Sequence, residues 1–254
     1  MFAGVEGIQT AYIWCGVIWA MVCGLAAGNY ACSLIHRLPR GKSLLGDAPY
    51  CGSCAAPLQP KDLFPVFSAL WLRHRCRYCG TSYPISHTVT EIVVAALFVL
   101  VFLQYNFSDS AVLLLTIGTF LVILAAIQVN ENIIMGKIIA CVLVAGMLLR
   151  VLLDHSLFGF VQGGLFGLIL GALIWRKKIV KDGHIYRLPK EAELMTMAGV
   201  CVGAAAFPKF VLLFAGVYIA LLLASKLFGK PMRITIAYAI ALMLALVYPS
   251  LLNT

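Results

Sequence analysis

The chain has 254 residues, 62% of them hydrophobic and 11% charged, and its mean hydropathy is +0.98. A soluble domain carries roughly 25% charged residues, so water is excluded as the solvent for most of this surface. A formal net charge of +9 would suggest nucleic acid in a soluble protein. Here the cations sit in short loops between apolar runs, where membrane topology accounts for them and no nucleic-acid partner is expected.

Crossing a bilayer takes about 20 apolar residues, somewhat fewer when neighbours bury the ends. Eight such runs are read, at about 8–35, 88–105, 111–129, 133–153, 157–175, 192–207, 211–228 and 233–252. The first lacks a basic segment ahead of it and is too long for the apolar core of a cleaved signal. A polar, Cys-bearing insert, 37–87, follows it. A charged loop, RKKIVKDGHIYRLPKEAE from Arg176 to Glu193, separates the fifth and sixth runs, with a turn expected at Asp182-Gly183. The sixth run is short and rich in Gly and Ala, which predicts burial inside the bundle. The expected fold is all-α: a polytopic membrane bundle of about eight transmembrane helices with a cytoplasmic zinc-binding loop domain. Its organisation reads as 1–36 first transmembrane helix, 37–87 cysteine domain, and 88–254 a seven-helix membrane domain.

Lys and Arg set the orientation. With both termini periplasmic, 17 of the 19 basic residues fall on the cytoplasmic side, leaving only Arg150 and Lys209 opposite. That bias is the signature of an inner-membrane protein with its insert in the cytoplasm.

Within the insert, Cys51-Gly-Ser-Cys54 and Cys76-Arg-Tyr-Cys79 give C-x2-C-x21-C-x2-C. Two C-x2-C turns present four thiolates to one ion at tetrahedral spacing. Two disulfides or four unligated thiols are the alternatives, and a reducing cytoplasm argues against the first. A closed four-thiolate shell makes the expected zinc structural. Cys15, Cys23, Cys32, Cys141 and Cys201 stand singly in apolar runs and read as small packing residues. His74 and His87 read as loop residues, since the cysteines already complete a zinc shell.

From Gly24-Leu-Ala-Ala-Gly28 through Arg37-Leu38-Pro39, the first run resembles the opening span of bacterial prepilin peptidases. The likeness continues through Cys51-x2-Cys54, Asp62-Leu-Phe-Pro65-Val-Phe-Ser68, Arg75-Cys76-Arg77-Tyr78-Cys79-Gly80, Tyr83-Pro84-Ile85 and Glu91, and more weakly through the later runs. It implies a membrane aspartic protease that cuts leaders from type IV prepilins or related secretion-system pseudopilins. Many members also N-methylate the product with S-adenosylmethionine, a cofactor expected here only if that activity is retained.

The implied catalytic pair is two aspartates, one in I-D-x6-P-D and one in GxGD. The matching stretches hold Gln128, in Ile127-Gln128, and Glu191, in Leu188-Pro189-Lys190-Glu191. A carboxamide exchanges no proton near neutral pH, a longer carboxylate displaces its oxygens, and lost glycines stiffen the backbone. Glu131 and Glu193 are the candidate substitute carboxylates. Their plainer reading is a solvated turn residue for Glu131 and, for Glu191 and Glu193, acids favoured in a first helical turn. Glu91 reads mainly as an acid near a helix N-terminus, although acids at membrane depth are rare and usually paired.

The expectation is therefore a proteolytically inactive relative, binding pilin-like or secretion-system membrane proteins in the bilayer. Any substrate-like groove is expected near the cytoplasmic ends of the fourth and sixth spans, bordered by Gln128, Glu131 and Glu191. The alternative is an active leader peptidase using Glu191 with another carboxylate.

Overall fold

The computed structural model describes residues 2–42, 50–51, 53–57, 59, 62, 66, 68, 71–154, 158–174, 180–181, 184–185, 190–228 and 233–253. Asp182-Gly183 and Leu188-Pro189 of the charged loop lie outside the described residues. The chain divides into two compact units, Met1–Asn106 and Phe107–Thr254.

The first unit is a helix pair carrying the cysteine loop. Helix α1 (Phe2–Arg37) packs against α2 (Ser86–Tyr105). Small residues set how closely they approach. A Cβ at Gly24 would lie 2.6 Å from Ala95 Cα, and one at Gly28 would lie 2.7 Å from Glu91 Cα. Gly24 and Gly28 are one helical turn apart, so a single face of α1 is flattened to admit the α2 backbone. Gly16 faces Phe102 near the far end of α2, which makes the pair antiparallel. The loop thus leaves and returns at one end.

The second unit contains α3 (Asp109–Glu131), α4 (Gly136–Asp154), α5 (Phe158–Ile174), α6 (Lys190–Val202), α7 (Phe207–Phe228), α8 (Ile234–Val247) and the short α9 (Ser250–Asn253). A two-residue hairpin, β1 (Val180–Lys181) with β2 (His184–Ile185), pairs Val180 with Ile185 in the charged loop. Ser108 caps α3, its hydroxyl accepting from the Ala111 N–H at 3.2 Å. Asn132 ends α3 in the left-handed conformation that asparagine tolerates.

Helices α1 from Thr10, α2, α3, α4 and α7 are long and apolar enough to cross a membrane, and α5 and α8 are shorter apolar helices. Outward faces such as Leu212, Leu223 and Leu227 of α7 are exposed apolar surface suited to lipid. Short α6 is different, with Leu194, Met195, Met197, Ala198 and Cys201 all buried. It packs against α4, α5, α7 and α8, as the Gly and Ala content of the sixth run predicts. The spacing Gly163-x3-Gly167-x3-Gly171 on α5 lets its backbone lie on α6. Cβ atoms at Gly163 and Gly167 would intrude on the carbonyl oxygens of Gly199 and Met195.

Arg150 ties α4 to the end of α6. It lies within α4 and its Nε donates to the Cys201 carbonyl at 2.9 Å, with a second donation to Val202. A guanidinium there satisfies carbonyls that the end of α6 leaves unpaired. Gly203, at φ +82, provides the turn beneath it.

Candidate functional sites

Two turns build the cysteine site in the same way. The Cys51 N–H donates to Ala56 O and the Ala55 N–H to Cys51 O, both at 2.9 Å. The Cys76 N–H donates to Thr81 O and the Gly80 N–H to Cys76 O, again both at 2.9 Å. The fourth residue after each leading cysteine turns left-handed, Ala55 at φ 56 and Gly80 at φ 70. Each turn is closed by an isolated bridge, Tyr50 with Pro57 and Arg75 with Ser82. The sequence pattern C-x2-C thus becomes a tight loop with both sulfurs on its inner side.

All four sulfurs lie within 4.8 Å of one another, and Cys51 Sγ is 3.9 Å from Cys79 Sγ. Four thiolates about 2.3 Å from a tetrahedral ion would sit about 3.8 Å apart. The cysteines are free of disulfides, so the geometry fits a metal ion. Electrostatics agree. The Thr81 hydroxyl, 3.3 Å from Cys79 Sγ, pulls that thiol down to about 6. Backbone amides of Cys54 and Ser53 also lower Cys51. At Cys54 the Ala56 amide pulls downward, but desolvation and the Cys79, Cys51 and Cys76 sulfurs outweigh it and push the thiol up to about 11. Sulfurs this close resist complete deprotonation unless a cation sits among them. The loop has a further brace, Arg77 Nε donating to Asp62 Oδ1 at 2.7 Å.

The loop is tied to the helix pair at two places. Glu91, buried in α2, accepts from the Val66 N–H at 2.8 Å. It therefore holds the loop instead of serving α2's first turn, and Val66 takes a left-handed φ of 59 there. His87 belongs to α2 and not to the loop. Its Nε2 is 2.7 Å from Nε2 of His36, and the rings stack at 4.8 Å. Tyr83 packs edge-on against both His87 and His74.

In the second unit, the residues singled out by sequence have other partners. Gln128 is buried near the end of α3, and its Oε1 accepts from the Thr235 backbone N–H at 3.2 Å and from the Thr235 hydroxyl. It thereby caps the first turn of α8 from a neighbouring helix. Arg233 donates to Asn132 Oδ1 at 2.7 Å and fastens the same two ends. Lys190 grips Glu193 through both carboxylate oxygens, at 2.9 and 2.7 Å. Its ammonium lies over Gly136, where a Cβ would come within 2.7 Å. Glu191 is half-buried in the first turn of α6, and Glu131 is exposed at the end of α3. Gln128 is thus brought to Thr235, and Glu193 to Lys190. Thr235 and Arg233 were missed by sequence reasoning; the only signal was a threonine in the first turn of an apolar run after Pro231.

Fold and site together define a polytopic membrane protein with a four-cysteine loop that could hold a metal ion. Residues 22–105 match the sequence model of the bacterial peptidase A24 N-terminal domain, a match that ends where the first unit ends. A prepilin leader peptidase/N-methyltransferase of Klebsiella pneumoniae is 28% identical over 81% of this chain and 92% of its own. Proteins of the same name from Myxococcus xanthus and Aeromonas hydrophila are 26% and 30% identical, over 63% and 64% of this chain and 47% and 57% of theirs. The chain therefore spans about half the length of some of these relatives. No solved structure matches it. These matches support the prepilin peptidases as the family this chain is similar to.

Proposed function

We propose that this chain is a bacterial inner-membrane protein of a type IV pilus or related secretion system that binds pilin-like or secretion-system membrane proteins without cutting them. The observation that carries the reading is the state of Gln128. At the position matching a family aspartate stands a buried carboxamide that has no proton to exchange and whose oxygen is engaged by Thr235. Glu193, a candidate substitute carboxylate, is paired with Lys190. The bound ion in the loop is zinc, which four thiolates with no open position favour and which acts structurally. The loop faces the cytoplasm and both termini face the periplasm, in keeping with the distribution of Lys and Arg. Glu131 and Glu191 would offer opposite charge to a basic pilin-type segment. S-adenosylmethionine is a partner only if methyl transfer is retained, and this reading does not require it.

Co-expression with a prepilin tests the proposal. No leader should be released, and Gln128→Asp alone should not restore release, because Leu188, Lys190 and the longer Glu191 remain. General acid–base groups each contribute about 10²–10⁴-fold, so turnover should be undetectable instead of slow. Release of a correctly cut leader by the unmodified chain, stopped by Glu191→Gln, would replace this reading with a glutamate-based peptidase.

A further inference from the structure

The loop carries an exposed tryptophan that neither the metal site nor the helix pair uses. Trp71 is 88% exposed, more than any other large apolar residue described. The next odd positions, Arg73 and Arg75, are exposed too, whereas Leu72 and His74 between them turn inward. Arg77 continues the alternation but is committed to Asp62.

The loop's attachments determine where this segment is held. Val66, five residues before Trp71, donates to Glu91 of α2. His74, three residues after it, packs on Tyr83 at 5.5 Å, and Tyr83 packs on His87 of α2 at 6.3 Å. Both tethers run to the first two turns of α2, at the end where the helix pair leaves the membrane. Trp71 lies between them along the chain, which holds it to this end of the helix pair.

An indole at that level is in the place tryptophans favour, where an apolar ring and one N–H donor both find partners. Guanidinium groups beside it match phosphate in charge and geometry. We propose that Trp71, with Arg73 and Arg75, is an interfacial anchor that seats the metal-binding loop on anionic lipid headgroups. The occupant is the lipid surface itself: the ring enters the headgroup layer while the two arginines contact phosphate. The anchor adds a third attachment to the two protein tethers and fixes the height of the metal site above the bilayer.

The test uses the full chain with Trp14, Trp19 and Trp175 changed to Phe, so that Trp71 alone fluoresces. It is reconstituted in vesicles of phosphatidylcholine, with or without phosphatidylglycerol, and Trp71 is challenged with brominated lipid or aqueous iodide. In anionic vesicles, brominated lipid should quench and iodide should be excluded. Each arginine near an anionic surface is worth about fivefold in the seated-to-unseated ratio. Arg73→Gln with Arg75→Gln should therefore restore iodide access in those vesicles, and high salt should act the same way. The lysine pair Arg73→Lys and Arg75→Lys should keep most of the seating. Bound metal per chain reports that the loop is folded in every variant. Iodide quenching with no effect of brominated lipid would overturn the anchor. Protection from both quenchers would also overturn it, placing protein over the ring. The single-tryptophan chain decides between these whatever the arginine variants do.

Discussion

The cysteine loop and the neighbourhood of Gln128 both lie where sequence points to chemistry, yet their polar side chains are committed differently. In the loop, four sulfurs converge within 4.8 Å, and amides and a hydroxyl favour the thiolate at Cys79 and Cys51. Around Gln128, the polar atoms face other parts of the fold. Gln128 caps α8, Lys190 closes on Glu193, and Arg233 ties Asn132. The first arrangement leaves charge to be met by an ion. The second is satisfied internally.

Removing a metal ligand is the strongest way to break this comparison. Ion binding supplies about 10–16 kcal/mol of apparent folding free energy in small zinc domains. Cys76→Ser should lose the ion, expose Cys51 and Cys54 to maleimide, and leave the helix content of the membrane segments intact. Metal analysis and thiol labelling of the purified protein read this directly. One full equivalent of tightly held metal in Cys76→Ser would show that the four sulfurs do not act as one site.

The Gln128 cap should matter less but measurably. Gln128→Leu keeps the volume and leaves the Thr235 N–H and hydroxyl without their acceptor, which should cost about 1–2 kcal/mol. Thr235→Val should cost less, because the backbone N–H keeps its bond. The double variant should fall short of the sum, since the two residues share one interaction. Thermal unfolding in detergent measures all three. Strict additivity would mean that Gln128 is not a staple for α8.

The smallest expected effect sharpens the comparison within the metal loop. Ala55 and Gly80 occupy the same left-handed position in the two turns, but only glycine takes it without strain. Ala55→Gly should be neutral to stabilising and Gly80→Ala destabilising, each by about 1 kcal/mol or less. A chelator titration of the loop measures the difference. Equal and harmful effects of both changes would show that the side chain at 55 has a packing role of its own.

The legibility of these features followed their range. The eight apolar runs correspond closely to α1 to α8 because insertion in lipid depends on local hydropathy and length. The sixth apolar run extends to 207, but α6 ends at Val202 where Gly203 turns and Arg150 reaches across from α4. The eighth apolar run extends to 252, but α8 stops at Val247, before the Tyr248-Pro249 step, with α9 beyond it. His87 reads as a loop residue in sequence, since the cysteines already complete a zinc shell and the second apolar run begins at 88, yet it lies in the first turn of α2. Glu91 reads in sequence as an acid serving its own helix, whereas its partner is the backbone of Val66, 25 positions earlier.

By itself, the sequence determined that the chain is a multi-pass membrane protein, roughly where its apolar segments lie, and which four cysteines could share one metal ion. Hydropathy and C-x2-C spacing are local, so neighbours along the chain suffice to read them. Only the tertiary structure decided what Gln128, Glu91, His87 and Arg150 are for. Each acts on a partner 25 to 107 positions away, or 51 in two of the four cases. Such pairings arise when helices pack and buried polar atoms need partners, which no local pattern records.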